Sequence, residues 1–219
     1  MLDENEDLIG INIKNIKMIN NFLIIDCTSK NNFIVLKINS KFFIKKLQTK
    51  FNKNETLTLE IDYFIKKHKV KLNGDFSIFI NSGPGSFSGV RISLAVAKGI
   101  RLVKKTNIYS YNSFLLNAAP YLAEKKKILS IQKINNFYYA CEGTCEMKYT
   151  FNPPKKIDLN EFKKKECLFI VPDTIKNDEV IKNIDSIKIR FVKFNLKNID
   201  LLIENKLVEN KLIKPLYLS

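Results

Sequence analysis

The chain has 219 residues, 45% of them apolar, and a formal charge of +15 at pH 7. That length admits one large domain or two small ones with sizeable cores. No apolar run approaches the roughly eighteen residues of a membrane span. The acidic start, MLDENEDLIG, lacks the apolar core of a secretory signal, so a cytoplasmic protein without membrane association is expected. The lone histidine, His68, and four cysteines (Cys27, Cys141, Cys145, Cys167) complete neither a zinc set nor a Ser-His-Asp or Cys-His mechanism. Reduced, buried thiols and no metal or cofactor are the expectation.

In chain order, residues 1–17 read as a poorly patterned extension. NFLIIDCTS and NNFIVLKIN then form a hairpin, and SKFFIKKLQ extends it as a third strand. Behind Asn54 as a capping residue, Leu57, Ile61, Phe64 and Ile65 recur at helical spacing. FSIFINS is a strand that runs directly into a loop holding three of the seven glycines, Gly83, Gly85 and Gly89. A long helix follows. Ile92, Val96, Ile100 and Val103 form one apolar stripe on it, and Val90, Leu94 and Ala97 form a second about 120° away. A helix apolar over most of its circumference is covered on more than one side, by its own sheet and by another helix of this chain or of a partner.

A second half is expected from residue 107. KKILSIQKINNFYYACEG is another hairpin, and ECLFIVPDT is a strand ending at Pro172. DEVIKNI is a short helix, IKIRFVKF a strand, KNIDLLIENKLVEN a final helix, and IKPLYLS an extended end. The expected division is an extension over 1–17, an N-terminal α/β lobe over 18–106 and a C-terminal α/β lobe over 107–219, each lobe led by a hairpin.

The charge by itself admits RNA contact. Yet of 37 basic residues only Arg91, Arg101 and Arg190 are arginine, and the lysines are scattered along the chain. Phosphate and base recognition favours the arginine fork. The lysine excess, accompanied by abundant Asn and Ile, reads as a compositional drift.

A strand, a glycine loop and a helix start together make a physical anion site, because unpaired amides and the positive end of the helix dipole meet there. The spacing matches neither the Walker loop nor the dinucleotide fingerprint, and GPGSFSG does not match GxSxG. A purely structural strand-to-helix turn is the equal alternative. The other place for phosphate chemistry is the first hairpin, at Asp26, Thr28 and Ser29. With no glycine in that turn, β-carbons obstruct a phosphate cradle.

The segment SGPGSFSGVRISLAVAKGI resembles the GPGSFTGLRIGLATAKG signature of the TsaB family, through Gly83, Pro84, Gly85, Ser86, Phe87, Gly89, Arg91, Leu94, Ala95, Ala97, Lys98 and Gly99. FLIIDCTS resembles the family's opening LAIDTS, and IKPLYLS its closing P-x-Y-L-R. Ser88 stands for the family threonine, Ser93 for a helix glycine, Gln132, Lys133 and Ile134 for a DAR stretch, and Ser219 for a terminal arginine.

The resemblance implies an α/β, two-lobed actin-like or RNase H-like (ASKHA) fold. It also implies a non-catalytic subunit that pairs with a TsaD-type transferase installing threonylcarbamoyl on the anticodon-adjacent adenosine of tRNA. A TsaE-type ATPase joins through the complex, tRNA is contacted only through the complex, and the isolated chain has a homodimer as its alternative state. Pairing through the first two N-lobe helices would use Leu57, Ile61, Val90, Ser93, Leu94, Ala97 and Arg101. The loop Gly83–Arg91, Ser88 included, becomes a structural turn or vestigial anion site, and Asp26, Thr28 and Ser29 a vestigial phosphate hairpin. The competing expectation is a free-standing nucleotide-dependent enzyme of the same fold, kinase-like or a glycoprotease.

Overall fold

The computed structural model describes residues 19–28, 32–47, 53–124, 126–159, 166–210, 216 and 218. The expected extension over 1–17, Ser29 and Ser219 lie outside them.

Strands β1 (Phe22–Asp26), β2 (Phe33–Ile38) and β3 (Lys41–Lys46) form an antiparallel meander, as their apolar runs and polar turns predict. Helix α1 (Lys53–Lys67) leads to β4 (Ser77–Asn81), which pairs in parallel with β1. Helix α2 (Phe87–Lys104) then crosses over to β5 (Asn107–Tyr111), parallel to β4. The first sheet has the order β3-β2-β1-β4-β5. Its last strand therefore lies beyond residue 106, where the sequence reading divides the lobes. A helix leaving a parallel strand must return to the same sheet through another strand, and NIYSY is that strand.

The second sheet repeats the plan. It is built from β6 (Ile128–Ile134), β7 (Phe137–Cys145), β8 (Tyr149–Phe151), β10 (Leu168–Pro172) and β11 (Ile189–Val192), in the order β11-β10-β6-β7-β8. Strand β9 (Lys155–Ile157) pairs with β7 off that path. Each sheet thus has an antiparallel hairpin arm and two parallel strands on the other side of its first strand.

The helices sort by face. α1 and α2 cover the outer face of the first sheet. α3 (Ser113–Ala118) and α5 (Ile199–Glu204) lie between the sheets, and α4 (Glu179–Lys182) covers the outer face of the second. Strand alternation decides which side each residue serves. In β1, Phe22 and Ile24 enter the central core, and Leu23 and Ile25 meet α1 and α2. In β10, Leu168 and Ile170 enter the central core, and Phe169 and Val171 face outward to Ile181 of α4. Both strands are buried on both faces, which is why they read as continuous apolar runs.

α5 ends at Glu204, short of the expected helix through residue 210, because Lys206 takes the left-handed conformation (φ 57°). Glu209 then bridges Ser110 on the free edge of β5. No helix among the described residues is long and apolar enough to cross a membrane.

Candidate functional site

The two sequence features that could hold phosphate meet in space. The end of β1 turns at Asp26, Cys27 and Thr28, and the glycine loop between β4 and α2 lies directly on that turn. Ser86 caps α2: its hydroxyl accepts from the Gly89 amide at 3.2 Å, its backbone is extended, and its carbonyl accepts the Val90 amide at 3.0 Å. The Ser88 hydroxyl sits 3.1 Å from that of Ser86. The Arg91 guanidinium lies 3.7 Å from the centre of the Phe87 ring on the exposed side of the helix start. The Gly83–Pro84 peptide bond is cis.

The glycines are required by contact with the β1 turn. A β-carbon on Gly85 would overlap the Thr28 carbonyl, and one on Gly89 would overlap the Cys27 carbonyl. Gly89 lies within the helix and is not among the positive-φ glycines, so it is not backbone conformation that excludes a side chain there. The constraint is steric. It is set by a segment about sixty residues away in sequence, which local reading cannot supply.

Two amides of the loop are committed within the chain. The Ser86 amide donates to the Thr28 carbonyl at 2.7 Å, and the Gly83 amide to Asn81 Oδ1 at 2.9 Å. The Leu216 amide donates to the Ser82 carbonyl at 2.7 Å, which seats the C-terminal segment against the same loop.

Asp26 is similarly enclosed. It is 1% exposed. Its Oδ1 accepts from the Thr28 amide (3.0 Å) and hydroxyl (2.6 Å), and its Oδ2 from Asn81 Nδ2 (2.9 Å) and the Tyr111 hydroxyl (3.1 Å). Asn81 Nδ2 also reaches Thr28 Oγ1 at 3.1 Å and Ser113 Oγ at 3.0 Å. Four donors on one carboxylate satisfy a buried charge. Burial first, then the charge and hydrogen bond of Asp26, hold the Tyr111 hydroxyl well above its ordinary pKa, so it stays a donor.

Asn81, Tyr111 and Ser113 were missed as site residues by sequence reasoning. The signal was slight: polar residues at the C-terminal ends of parallel strands and just beyond, where ligands of such sheets lie. Ser29, the third member of the expected hairpin set, lies outside the described residues.

The expected partner-binding residues divide sharply. Leu57 (3% exposed), Ile61, Val90, Ser93 and Ala97 are buried in the chain's own core and cannot meet a partner; that part of the expectation is corrected. The buried line Gly89, Val90, Ser93, Ala97 faces the sheet, and Ile92, Leu94, Val96 and Ile100 pack half-buried beside it. Both predicted stripes of α2 are largely consumed within this chain, because α2 is flanked by α1 on a shared sheet face. Arg101 remains exposed. The large apolar residues that are open on the two helices, among the described residues, are Leu59 (68%), Tyr63 (60%), Phe87 (46%), Leu102 (85%) and Val103 (75%).

Lys133, in the stretch standing for DAR, pairs with Asp178 at 2.8 Å, and the Tyr138 hydroxyl donates to the same carboxylate at 2.6 Å. Gln132 and Ile134 lie on β6 opposite Tyr139 and Phe137. Cys27, Cys141 and Cys167 are buried and Cys145 is half-buried, and none of the four is in a disulfide. Two clefts, of about 590 and 480 Å³, lie away from Asp26, at the end of α2 and between β3 and α1.

No family model matches the chain. It is 39% identical, over 106 residues, to the tRNA threonylcarbamoyladenosine biosynthesis protein TsaB of Buchnera aphidicola subsp. Baizongia pistaciae. That match covers 46% of this chain and 47% of the relative, about half of its length. A second relative, the uncharacterized protein MG208 homolog of Mycoplasma pneumoniae, is 27% identical over 135 residues, 60% of this chain and 68% of that protein. Among solved structures, YeaZ from Pseudomonas aeruginosa superimposes with a TM-score of 0.58 over 90% of this chain and 99% of its own, at 14% identity. That similarity bears on fold, and with the repeated sheet topology it gives the two-lobed actin-like, RNase H-like (ASKHA) fold class that the resemblance implies.

Proposed function

We propose that this chain, which its sequence similarity and signature loop relate to the TsaB family, is a non-catalytic, cytoplasmic subunit of a tRNA-modifying assembly. In this reading it pairs with a TsaD-type transferase and supports threonylcarbamoylation of the anticodon-adjacent adenosine, with a TsaE-type ATPase joining through the complex. One observation carries the non-catalytic part: the Asp26 carboxylate is buried and taken up by Thr28, Asn81 and Tyr111. A metal-bound phosphate at that position would have to displace four donors and enter a turn whose backbone already supports the glycine loop. The loop's role is then to seat α2 against the β1 turn and so fix the helix pair. The pairing surface is the exposed side of that pair, centred on Leu59, Tyr63, Leu102 and Val103 in place of the buried residues.

The test is light scattering on mixtures of this chain with the TsaD-type protein of the same source, with calorimetry of the isolated chain against ATP and magnesium. A stable heterodimer and no heat of ATP binding are expected. Micromolar ATP binding by the isolated chain, with no heterodimer, overturns the reading in favour of a free-standing nucleotide enzyme.

A further inference from the structure

The C-terminal end of α2 opens a cleft of about 590 Å³ lined by Lys98, Arg101, Leu102, Lys105, Thr106 and Asn107. Lys98 and Arg101, three residues apart, lie along one side of the last turns, and Lys105 follows as the left-handed C-cap residue (φ 55°). All three are exposed, and none has an ion-pair partner among the described residues. Cations at a helix C-terminus ordinarily complement the dipole, which amounts to about half an elementary charge. Here Lys104 adds a fourth positive charge beside the three, so the cationic charge far exceeds what the dipole offsets.

A second, independent feature lies in the same cleft. Thr106 is 1% exposed, and its hydroxyl has no hydrogen-bond partner among the described residues. A buried hydroxyl without a partner is uncommon, and beside unpaired cations it is a donor suited to an anionic oxygen. The neighbouring Asn107 amide is already committed to the Gly74 carbonyl at 3.2 Å.

We propose that this cleft binds the phosphodiester backbone of RNA, with Lys98, Arg101 and Lys105 neutralising phosphates and Thr106 donating to a phosphate oxygen. The choice of RNA rests on the tRNA-modification reading above; the phosphate chemistry rests on the cleft alone. Leu102 lines the same cleft and stands in the exposed apolar set assigned to pairing, so RNA held there would lie beside the catalytic partner.

The experiment uses the full chain and fluorescently labelled tRNA, with anisotropy titrations between 50 and 200 mM KCl. Replacing Lys98, Arg101 and Lys105 together by glutamine should weaken binding by at least about tenfold and flatten the slope of log K against log salt by about 2, as expected for two to three lost phosphate contacts. Replacing Lys41, Lys46 and Lys193 by glutamine removes the same charge elsewhere and should cost less than about threefold. Thr106→Val should lose affinity several-fold with an unchanged melting temperature. Equal losses in the two triple variants, no tRNA binding by the unaltered chain, or full affinity in Thr106→Val would each overturn the assignment. Inorganic tripolyphosphate binding as tightly as tRNA would make free polyphosphate the ligand and overturn the RNA assignment. Light scattering with the TsaD-type protein separates the two proposals. A chain that binds tRNA through this cleft but never pairs removes the subunit reading alone, and a triple variant that pairs but has lost tRNA supports the cleft.

Discussion

Gly89, in the first turn of α2, lies so close to the carbonyl of Cys27 that the helix and the β1 turn are in backbone contact; a β-carbon there has no space. The same helix carries Gly99 with nothing within 4 Å of where its β-carbon would stand. These two glycines give opposite predictions. Gly89→Ala should destabilise the fold by about 1–3 kcal/mol through overpacking, despite the gain in helix propensity. Gly99→Ala should stabilise it by about 0.5–1 kcal/mol. Urea unfolding of both variants checks the signs, and a neutral Gly89→Ala would refute the contact.

The Asp26 cluster predicts a stability role. Asp26→Asn turns one acceptor end into a donor that faces Thr28 or Asn81 and Tyr111, leaving at least one donor opposed. A loss of about 1–3 kcal/mol is expected, with a smaller loss of about 1 kcal/mol for Tyr111→Phe. The double variant should lose less than the sum, because the two share one hydrogen bond. Denaturant midpoints of the cycle measure it; strict additivity would mean that the hydrogen bond is not made.

Alkaline pH should weaken the fold. Burial raises the Cys141 thiol from 9.0 to about 12, and burial with the Asp178 hydrogen bond and charge raises Tyr138 from 10.0 to about 12. Tyr111 moves in the same direction. A raised folded-state value means the unfolded chain loses its proton first, so the unfolded state binds fewer protons as pH climbs. The stability these groups contribute is intact below about pH 9 and is lost as pH rises toward 12. Unfolding midpoints measured from pH 8 to 11 should fall, and Cys141→Ala should flatten the part of the decline that begins near pH 9.

On α2, Leu102→Glu and Val103→Glu should leave the fold within about 0.5 kcal/mol, since both side chains are largely in solvent. Leu94→Glu should destabilise it, because Leu94 packs on the outer core of the first sheet. Leu102→Glu with Val103→Glu should weaken pairing with the TsaD-type protein at least about tenfold at unchanged melting temperature. Unaltered pairing would move the interface off this end of the helix.

Much of the fold was legible because both sheets are buried on two faces, and the strands of such sheets stand out as apolar runs between polar turns. FLIID, SIFIN and LFIVP needed no partner to be recognised. SFLLNA, one of the two helices between the sheets, was not read, since six residues apolar on nearly every side carry no helical period. The stripes of α2 were read correctly as apolar, but period alone does not tell a sheet-facing residue from a partner-facing one. Val90, Ser93 and Ala97 were settled only by the position of α2 on its sheet.

By itself the sequence determined the order of most strands and helices and the resemblance carried by GPGSFSG, because these depend on residues close together in the chain. Tertiary structure alone decided what the site is. The four donors on Asp26 come from Thr28, Asn81 and Tyr111, the last two 55 and 85 residues away, and only the pairing of β4 with β1 and β5 brings them together. Whether a carboxylate meets a metal-bound phosphate or its own chain depends on which donors reach it first, and that is a property of sheet order and register.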